Sequence, residues 1–256
     1  MDLGPDLSPE TLMGVLPERP IRTYPALLST EADALAWARS GAPEGALVVA
    51  DYQAAARGRA GLPWEVRPGR DLGFSMVLRP RLAPEREGWL YTVATSGLAD
   101  VLGDRSTIEW PDEVRRGDER IAAVGMQSEL GPDVDNWAVL TFLVPDAPSA
   151  RAEFLAKVVV AVEARYESPS SAVLKDYLPR CETVGRAVSA RLIPMGPTGQ
   201  VVTGQAVSAL KDGALVIETG EKKRVMVRPQ SLGLLEEPVA EDDSPPEWAP
   251  RDPSER

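Results

Sequence analysis

The chain has 256 residues, with 28 basic and 39 acidic side chains and a formal net charge of −11. This length suits one large domain or two unequal ones, with a buried core that needs no disulfide or metal. A chain this acidic is a poor candidate for sequence-independent binding of nucleic acid, which needs clustered Lys and Arg. The sequence holds no histidine and one cysteine. It therefore excludes Ser-His and Cys-His catalytic pairs, His-based zinc sites and disulfides.

The sequence also gives an expectation about location. A single cysteine is typical of a protein in the reducing cytoplasm. Residues 1–20 lack the basic and then apolar pattern of a signal peptide. The longest apolar run, near 158–162, is far shorter than the roughly 18 residues of a membrane span. We expect a cytoplasmic protein with no membrane and no nucleic-acid partner.

The two ends differ in composition from the middle of the chain. Residues 236–256 hold eight acidic side chains, two basic ones and five prolines. Such a segment buries too little apolar surface to offset the entropy lost on ordering, so it predicts a disordered acidic tail. Residues 1–20 are predicted to be a flexible N-terminal segment.

Hydrophobic periodicity between the two ends predicts alternating strands and helices. A loop rich in Gly and Pro but without an apolar period is predicted at 51–70. After residue 185 the pattern changes to short alternating strands separated by glycine turns, which predicts a small SH3-like β-barrel. In chain order, the first part has strands at 21–28, 46–50, 72–78, 107–110, 121–129 and 137–144 and helices at 29–40, 89–102, 150–166 and 168–178, and the second has strands at 187–193, 201–209, 214–219 and 224–227.

The stretch 48–64, VVADYQAAARGRAGLPW, carries the most specific pattern. It resembles the catalytic domain of the biotin–protein ligase and lipoate ligase family, in which a strand ending in Gln leads into a glycine-rich GRGRxGxxW loop. The positions that keep the family spacing are Gln53, Arg57, Gly58, Arg59, Gly61 and Trp64.

Further blocks extend this resemblance over about residues 21–235. Ser29-Thr30 stands where the family has STN, Trp110-Pro111-Asp112-Glu113 resembles its WPND, and Arg120 stands at the lysine of its KxxG motif. The resemblance implies an α/β (α+β) fold, with a mixed sheet and flanking helices over 21–182 and the barrel over 183–235. With about 20 residues before the first strand, we expect no N-terminal DNA-binding domain and no repressor.

The resemblance also implies an activity. Such ligases join a carboxylic acid such as biotin to ATP, release pyrophosphate, and pass the acyl group to a lysine of a biotinyl- or lipoyl-type carrier protein. The chemistry needs two anions held together and phosphate charge stabilised, so an enzyme without histidine can perform it. The implied catalytic residues are Arg57, Arg59 and Arg120, the substrate-binding residues are Ser29, Thr30, Gln53, Gly58, Gly61, Trp64, Trp110 and Asp112, and the Mg²⁺ ligands are Asp112 and Glu113.

Several positions depart from the family pattern. The first loop glycine is Ala56, the KxxG lysine and glycine are Arg120 and Ala123, and the GxGxN segment is replaced by LTFLVP at 140–145. Two alternatives therefore stand beside the biotin ligase: a catalytically silent paralogue that binds a ligand or a carrier protein, and a ligase for another acid or acceptor. Similar proteins dimerise through the central sheet, and a homodimer is left open.

Overall fold

The computed structural model describes residues 4–132, 135–196 and 199–238. Its larger element is a seven-stranded sheet in the order β1-β2-β3-β7-β6-β5-β4. Strands β1 and β2 run parallel, and every other neighbouring pair is antiparallel. The strands are β1 (Ile21–Leu27), β2 (Leu47–Gln53), β3 (Leu72–Leu78), β4 (Thr107–Glu109), β5 (Glu113–Arg116), β6 (Glu119–Glu129) and β7 (Trp137–Val144).

One face of this sheet carries the main hydrophobic core. Alternate residues of the central strands, such as Phe74 and Phe142, point to this face and are fully buried. Their rings stack with centroids 4.7 Å apart. Two helices that pack against each other, α3 (Trp89–Leu102) and α4 (Arg151–Glu167), cover this face. A shorter helix, α5 (Ser170–Tyr177), packs beside α3.

The opposite face has two different covers. Helix α2 (Thr30–Arg39) lies over one half, where Ala34 and Ala38 pack with Val77 and Val139. The glycine-containing loop, which we define as residues 54–66, lies over the other half. The N-terminus of α2 and this loop meet at the centre of the face, so the residues predicted to bind substrate lie there.

The N-terminal segment is ordered in the structure. A 3-10 turn at Pro5–Leu7 precedes α1 (Pro9–Val15), and the side chains of Leu7 and Leu12 are fully buried in the main core. The Ser8 side chain accepts a hydrogen bond from the Thr11 backbone N–H and caps α1. The predicted flexible segment is therefore wrong for residues 4–20, because Leu7 of the 3-10 turn and Leu12 of α1 are both buried in the main core.

The second sheet is antiparallel and has five strands in the order β11-β10-β9-β8-β12. The sequence pattern located four of these strands and missed the last one. Closure of this sheet into an SH3-like barrel and the domain boundaries stay predictions. The strands are β8 (Ala187–Leu192), β9 (Val201–Ala209), β10 (Leu215–Glu218), β11 (Arg224–Val227) and β12 (Leu232–Glu236).

Two further observations concern the predicted boundaries. The loop predicted at 51–70 begins later, because β2 continues to Gln53. Most of the predicted acidic tail, residues 239–256, lies outside the described residues, whereas Glu236 belongs to β12. Among the described residues, no helix is long and apolar enough to cross a bilayer.

Candidate functional site

A chain of hydrogen-bonded, buried polar side chains lies on the seven-stranded sheet, at the centre of the face that α2 and the glycine-containing loop cover. The Gln53 Oε1 atom accepts hydrogen bonds from the Thr30 backbone N–H (2.8 Å) and from the Thr30 hydroxyl (3.0 Å). The Ser75 hydroxyl lies 3.0 Å from the Thr30 hydroxyl and 2.8 Å from that of Thr141. Gln53 and Thr30 thus lie together, and Ser75 and Thr141 extend the chain. Ser29 is buried at the N-cap of α2, but its side chain makes no capping hydrogen bond.

The glycine-containing loop packs closely on the sheet. A Cβ atom at Gly58 would overlap the indole ring of Trp64, so this position needs glycine. A Cβ atom on Gly125 of β6 would lie 3.3 Å from the Gly58 Cα atom. Ala56, Val66 and the partly buried Trp64 pack with Leu143 of β7 in a small separate hydrophobic cluster. The loop therefore touches the sheet directly over this half of the face.

A cavity of about 240 Å³ opens beside this loop. It lies between the loop, the turn after β4 and strand β12 of the second sheet. Its lining combines apolar side chains with three arginines and three carboxylic acids. The lining residues are Arg59, Leu62, Trp64, Glu109, Trp110, Pro111, Asp112, Glu113, Arg115, Arg120, Leu234 and Leu235.

Arg59 connects three parts of the molecule at the wall of this cavity. Its Nε atom donates to Asp112 Oδ1 at 2.9 Å, and its Nη1 atom donates to the Leu232 carbonyl oxygen at 2.7 Å. The two side chains of the ion pair are 9% and 13% exposed, so the pair is largely shielded from water. Arg59 joins the loop, the first sheet and the second sheet through one guanidinium group.

The other charged side chains form a second network at the cavity. Glu113 accepts from Arg120 Nη1 at 3.2 Å and from Arg115 Nη1 at 3.0 Å. Arg115 Nη1 also donates to Glu109 at 2.7 Å. Three guanidinium groups thus balance three carboxylates. An anionic ligand that binds here therefore competes with these carboxylates for the guanidinium groups.

Asp112 is the most strongly perturbed acid of the site. Burial raises the pKa of its carboxyl from 3.8 to about 6, against the opposing effect of the Arg59 guanidinium. Burial also raises the pKa of Glu109. Asp112 therefore changes its charge near neutral pH, and a perturbed carboxyl group at a cavity is typical of a functional site.

The predicted Mg²⁺ ligands do not fit a metal ion in this arrangement. One Asp112 oxygen and both Glu113 oxygens accept hydrogen bonds from guanidinium groups. Mg²⁺ needs carboxylate oxygens that are free to coordinate it at about 2.1 Å. Within the described ranges, no group of three or more acidic or cysteine side chains could hold a metal.

The structure divides the predicted site residues into three groups. Six of them line the cavity: Arg59, Trp64, Trp110, Asp112, Glu113 and Arg120. Thr30 and Gln53 belong to the buried polar chain, and Gly58 supports Trp64. Arg57 and Gly61 are exposed and do not line the cavity, since Arg57 Nη1 donates to the Gly61 carbonyl oxygen of its own loop at 3.1 Å.

Trp110 has a structural role that the sequence did not indicate. Its indole N–H donates to the Gly213 carbonyl oxygen at 2.8 Å, and its backbone N–H donates to the Thr183 hydroxyl at 2.9 Å. The side chain is 2% exposed. Trp110 therefore attaches the second sheet to the first and closes one end of the cavity, rather than presenting its ring to a ligand.

The sequence analysis missed several residues of the site region. Among them, Glu109, Arg115, Thr141 and Leu143 carried no motif signal. Alternation along β7 could have found Thr141 and Leu143, because they follow each other at the strand period of two. Glu109 and Arg115 come together only through the pairing of β4 with β5.

Comparison with known proteins adds independent evidence. No family model matches the sequence. The chain is 31% identical over 116 residues to the bifunctional ligase/repressor BirA of Bacillus subtilis, which covers 44% of this chain and 35% of that protein. It is 26% identical over 228 residues to the biotin--[acetyl-CoA-carboxylase] ligase of Mycobacterium tuberculosis, which covers 77% of this chain and 83% of that protein. The chain is therefore similar in sequence to biotin protein ligases.

Solved structures of biotin protein ligases have a similar fold. The biotin protein ligase of Aquifex aeolicus, in complex with biotin and ATP, matches with a TM-score of 0.66 at 18% identity, covering 86% of this chain and 99% of that one. A biotin protein ligase-like protein of unknown function from Silicibacter sp. matches with a TM-score of 0.62 at 14% identity, covering 84% and 96%. This chain spans about a third of the length of BirA.

Proposed function

We propose that this biotin protein ligase-like protein is an ATP-dependent ligase that activates a carboxylic acid, biotin or a related acid, as its acyl-adenylate. The observation that carries the proposal is the cavity at which the loop residue Arg59 meets Asp112, Glu113 and Arg120. Sequence similarity to BirA and to the biotin--[acetyl-CoA-carboxylase] ligase supports the proposal, because both proteins are ligases.

The proposed reaction has two steps. A carboxylate oxygen of the acid bonds to the α-phosphorus of ATP, and the bond from that phosphorus to the bridging oxygen breaks, which releases pyrophosphate. A lysine amine of a carrier protein then attacks the acyl carbon, AMP leaves, and the nitrogen loses a proton as the amide forms. The acid attacks as its carboxylate, so the first step needs no general base.

The charged residues of the cavity have defined tasks in this scheme. Arg59 and Arg120 donate hydrogen bonds to phosphate oxygens, which stabilises the charge that develops on the leaving group. In this scheme Arg59 turns from Asp112 towards the phosphate, and Arg120 turns from Glu113. Asp112 loses its cation when Arg59 moves, and an anion beside it favours its protonated form. Proton uptake by Asp112 therefore accompanies phosphate binding.

Pyrophosphate–ATP exchange tests this function. The purified protein is assayed with biotin, lipoate or octanoate, and acid-dependent exchange is the expected result. Arg59→Ala should abolish exchange, whereas Arg105→Ala, an exposed arginine in the turn before β4, should leave it unchanged. Exchange that survives in Arg59→Ala but is lost in Arg57→Ala would refute the assignment of the cavity.

The second candidate is a catalytically silent binding protein. One observation favours it: each arginine that lines the cavity is paired with a carboxylate, which competes with phosphate for that guanidinium group. The same experiment separates the two candidates, because a binding protein shows no exchange with any acid but a thermal shift with one ligand. A carrier-protein partner, a homodimer, the absence of nucleic acid and a cytoplasmic location also remain proposals, as does an SH3-like closure of the second sheet.

A further inference from the structure

A different cavity, which we call the edge cavity, opens at the edge of the main hydrophobic core and has a volume of about 350 Å³. It lies between the end of α3, the β5–β6 hairpin, the turn after β7 and the start of α4. Small-molecule sites usually have volumes of about 300–1,000 Å³, so the edge cavity is large enough for a small ligand. The reaction steps proposed above take place in the 240 Å³ cavity and do not use it.

The floor of the edge cavity is apolar. Val144 of β7 and Phe154 of α4 belong to the main core and are 2% and 8% exposed. Val101, Leu102 and Ile121 also line the cavity and are only partly buried. Part of their apolar surface therefore remains open to solvent, and a ligand with an apolar group gains free energy by covering it.

The turn after β7 forms a fixed wall of the edge cavity. Asp146 has a φ of 47°, a backbone conformation that residues other than glycine adopt infrequently. Its backbone N–H donates to Asp71 Oδ1 at 3.0 Å, and its carboxylate pairs with Arg67 and Arg70. The Ala147 N–H donates to the Arg70 carbonyl oxygen at 3.0 Å. The wall is thus held by the protein itself, and the Asp146 carboxylate already has two cationic partners.

Two charged side chains that line the edge cavity have no ion-pair partner among the described residues. Arg116 uses its guanidinium group for a single hydrogen bond, from Nη2 to the Leu102 carbonyl oxygen at 3.3 Å. Glu119 is the other unpaired side chain. Arg120 lines both cavities, but its Nη1 atom donates to Glu113 at 3.2 Å. One cation and one carboxylate therefore remain for a ligand.

The strand register places these two charges side by side. Arg116 of β5 lies directly opposite Glu119 of β6. Side chains of such a pair leave the sheet on the same face, with Cβ atoms about 4.5–5.5 Å apart. A carboxylate and an ammonium group on one carbon atom can therefore meet both side chains at once. The last two residues of α3 also line the cavity, and the partial negative charge at the C-terminus of a helix favours a ligand cation there.

We propose that the edge cavity binds a free α-amino acid with an apolar side chain. The carboxylate of the ligand accepts hydrogen bonds from Arg116, whose guanidinium group offers parallel N–H donors. The ammonium group of the ligand donates to Glu119, and its side chain covers the floor formed by Val144 and Phe154. A carboxylic acid without the amine would place its negative charge beside Glu119 with nothing to offset it. This inference goes beyond the proposed ligase function and does not depend on it.

Calorimetric titration of L-leucine into the purified protein tests this assignment. L-Leucine should bind, and Arg116→Ala and Glu119→Gln should each weaken its binding by about tenfold or more, because each removes one charged contact. Arg105→Ala is the control, since Arg105 is exposed, carries the same charge and does not line the cavity. It should bind L-leucine as the unaltered protein does. No binding of L-leucine, or equal binding in Arg116→Ala, would overturn the proposal.

A series of ligands tests each contact separately. Glycine lacks the apolar side chain of L-leucine, 4-methylpentanoate lacks its ammonium group, and 3-methylbutylamine lacks its carboxylate. Each should bind about tenfold more weakly or worse. Binding of 4-methylpentanoate is counted only where Arg116→Ala abolishes it, because an acid in the 240 Å³ cavity does not contact Arg116. Any of the three that binds as tightly as L-leucine would refute the recognition of an apolar amino acid.

Discussion

Removal of Arg59 should destabilise the protein in a strongly pH-dependent way. The substitution Arg59→Ala leaves the shielded Asp112 carboxylate without its cation and the Leu232 carbonyl oxygen without that donor. Breaking a buried ion pair by removing one partner costs about 3–5 kcal/mol. The lower part of this range is expected here, because Asp112 can take up a proton.

The sign of the pH dependence follows from the pKa of Asp112. Folding raises this pKa from 3.8 to about 6, so the folded state holds the proton more tightly and stability falls as pH rises between these values. Without Arg59 the pKa of Asp112 lies higher still, and the fall continues above pH 6. Each unit of pKa is worth about 1.4 kcal/mol. The stability deficit of Arg59→Ala should therefore be about 1–2 kcal/mol larger at pH 8 than at pH 5.5.

Urea denaturation at these two pH values measures the effect. The effect of Arg59→Ala is also measured in protein that carries Asp112→Asn. An uncharged amide at position 112 should remove the pH dependence of the loss of stability caused by Arg59→Ala. Arg105→Ala serves as the surface control and should change the free energy of unfolding by less than about 0.5 kcal/mol. A deficit for Arg59→Ala that is the same at both pH values would refute the assigned coupling between Arg59 and Asp112.

Two other substitutions test parts of the structure that support the site. Arg151 is 2% exposed and donates hydrogen bonds to Asp6 and Asp51. Arg151→Ala should therefore lower the free energy of unfolding, measured in urea, by about 3–5 kcal/mol. The control Arg224→Ala, on the surface of β11, should change it by less than about 1 kcal/mol, and equal effects would contradict the buried role of Arg151. Gly58→Ala should lower pyrophosphate–ATP exchange at least tenfold, because the added methyl group overlaps the indole ring of Trp64. Gly14→Ala is the control, since a Cβ atom at Gly14 would have no neighbour within 4 Å, and it should leave exchange intact. Full activity of Gly58→Ala would show that the loop does not pack as described.

Strongly periodic elements could be predicted from the sequence. The strands at 72–78 and 137–144 and the helix at 89–102 have the predicted bounds, because each combines a continuous apolar pattern with a clear stop. Strand β5 was missed, since EVRR carries one apolar residue and forms only because β4 and β6 pair with it. Helix α1 was missed because its few apolar residues are held by tertiary packing rather than by its own pattern.

The site was only partly predictable for a similar reason. Motif spacing identified Arg59, Asp112, Glu113 and Arg120, which the fold brings to one cavity. Spacing carries no information on side-chain direction, so Arg57 was expected there and is exposed instead. Spacing also gives no information on which side chains form ion pairs. The arginines that balance the charge of the cavity find their partners through the pairing of β4, β5 and β6 and through the contact of the loop with Asp112.

The hydrogen bond from Arg59 to the Leu232 carbonyl oxygen has a consequence for communication within the molecule. A ligand that draws this guanidinium group towards itself also loosens the hold of the loop on strand β12. By thermodynamic reciprocity, any contact that shifts β12 must in turn change the affinity of the cavity for its ligand by the same factor. A molecule bound to strand β12 would thus respond to whether the cavity is filled.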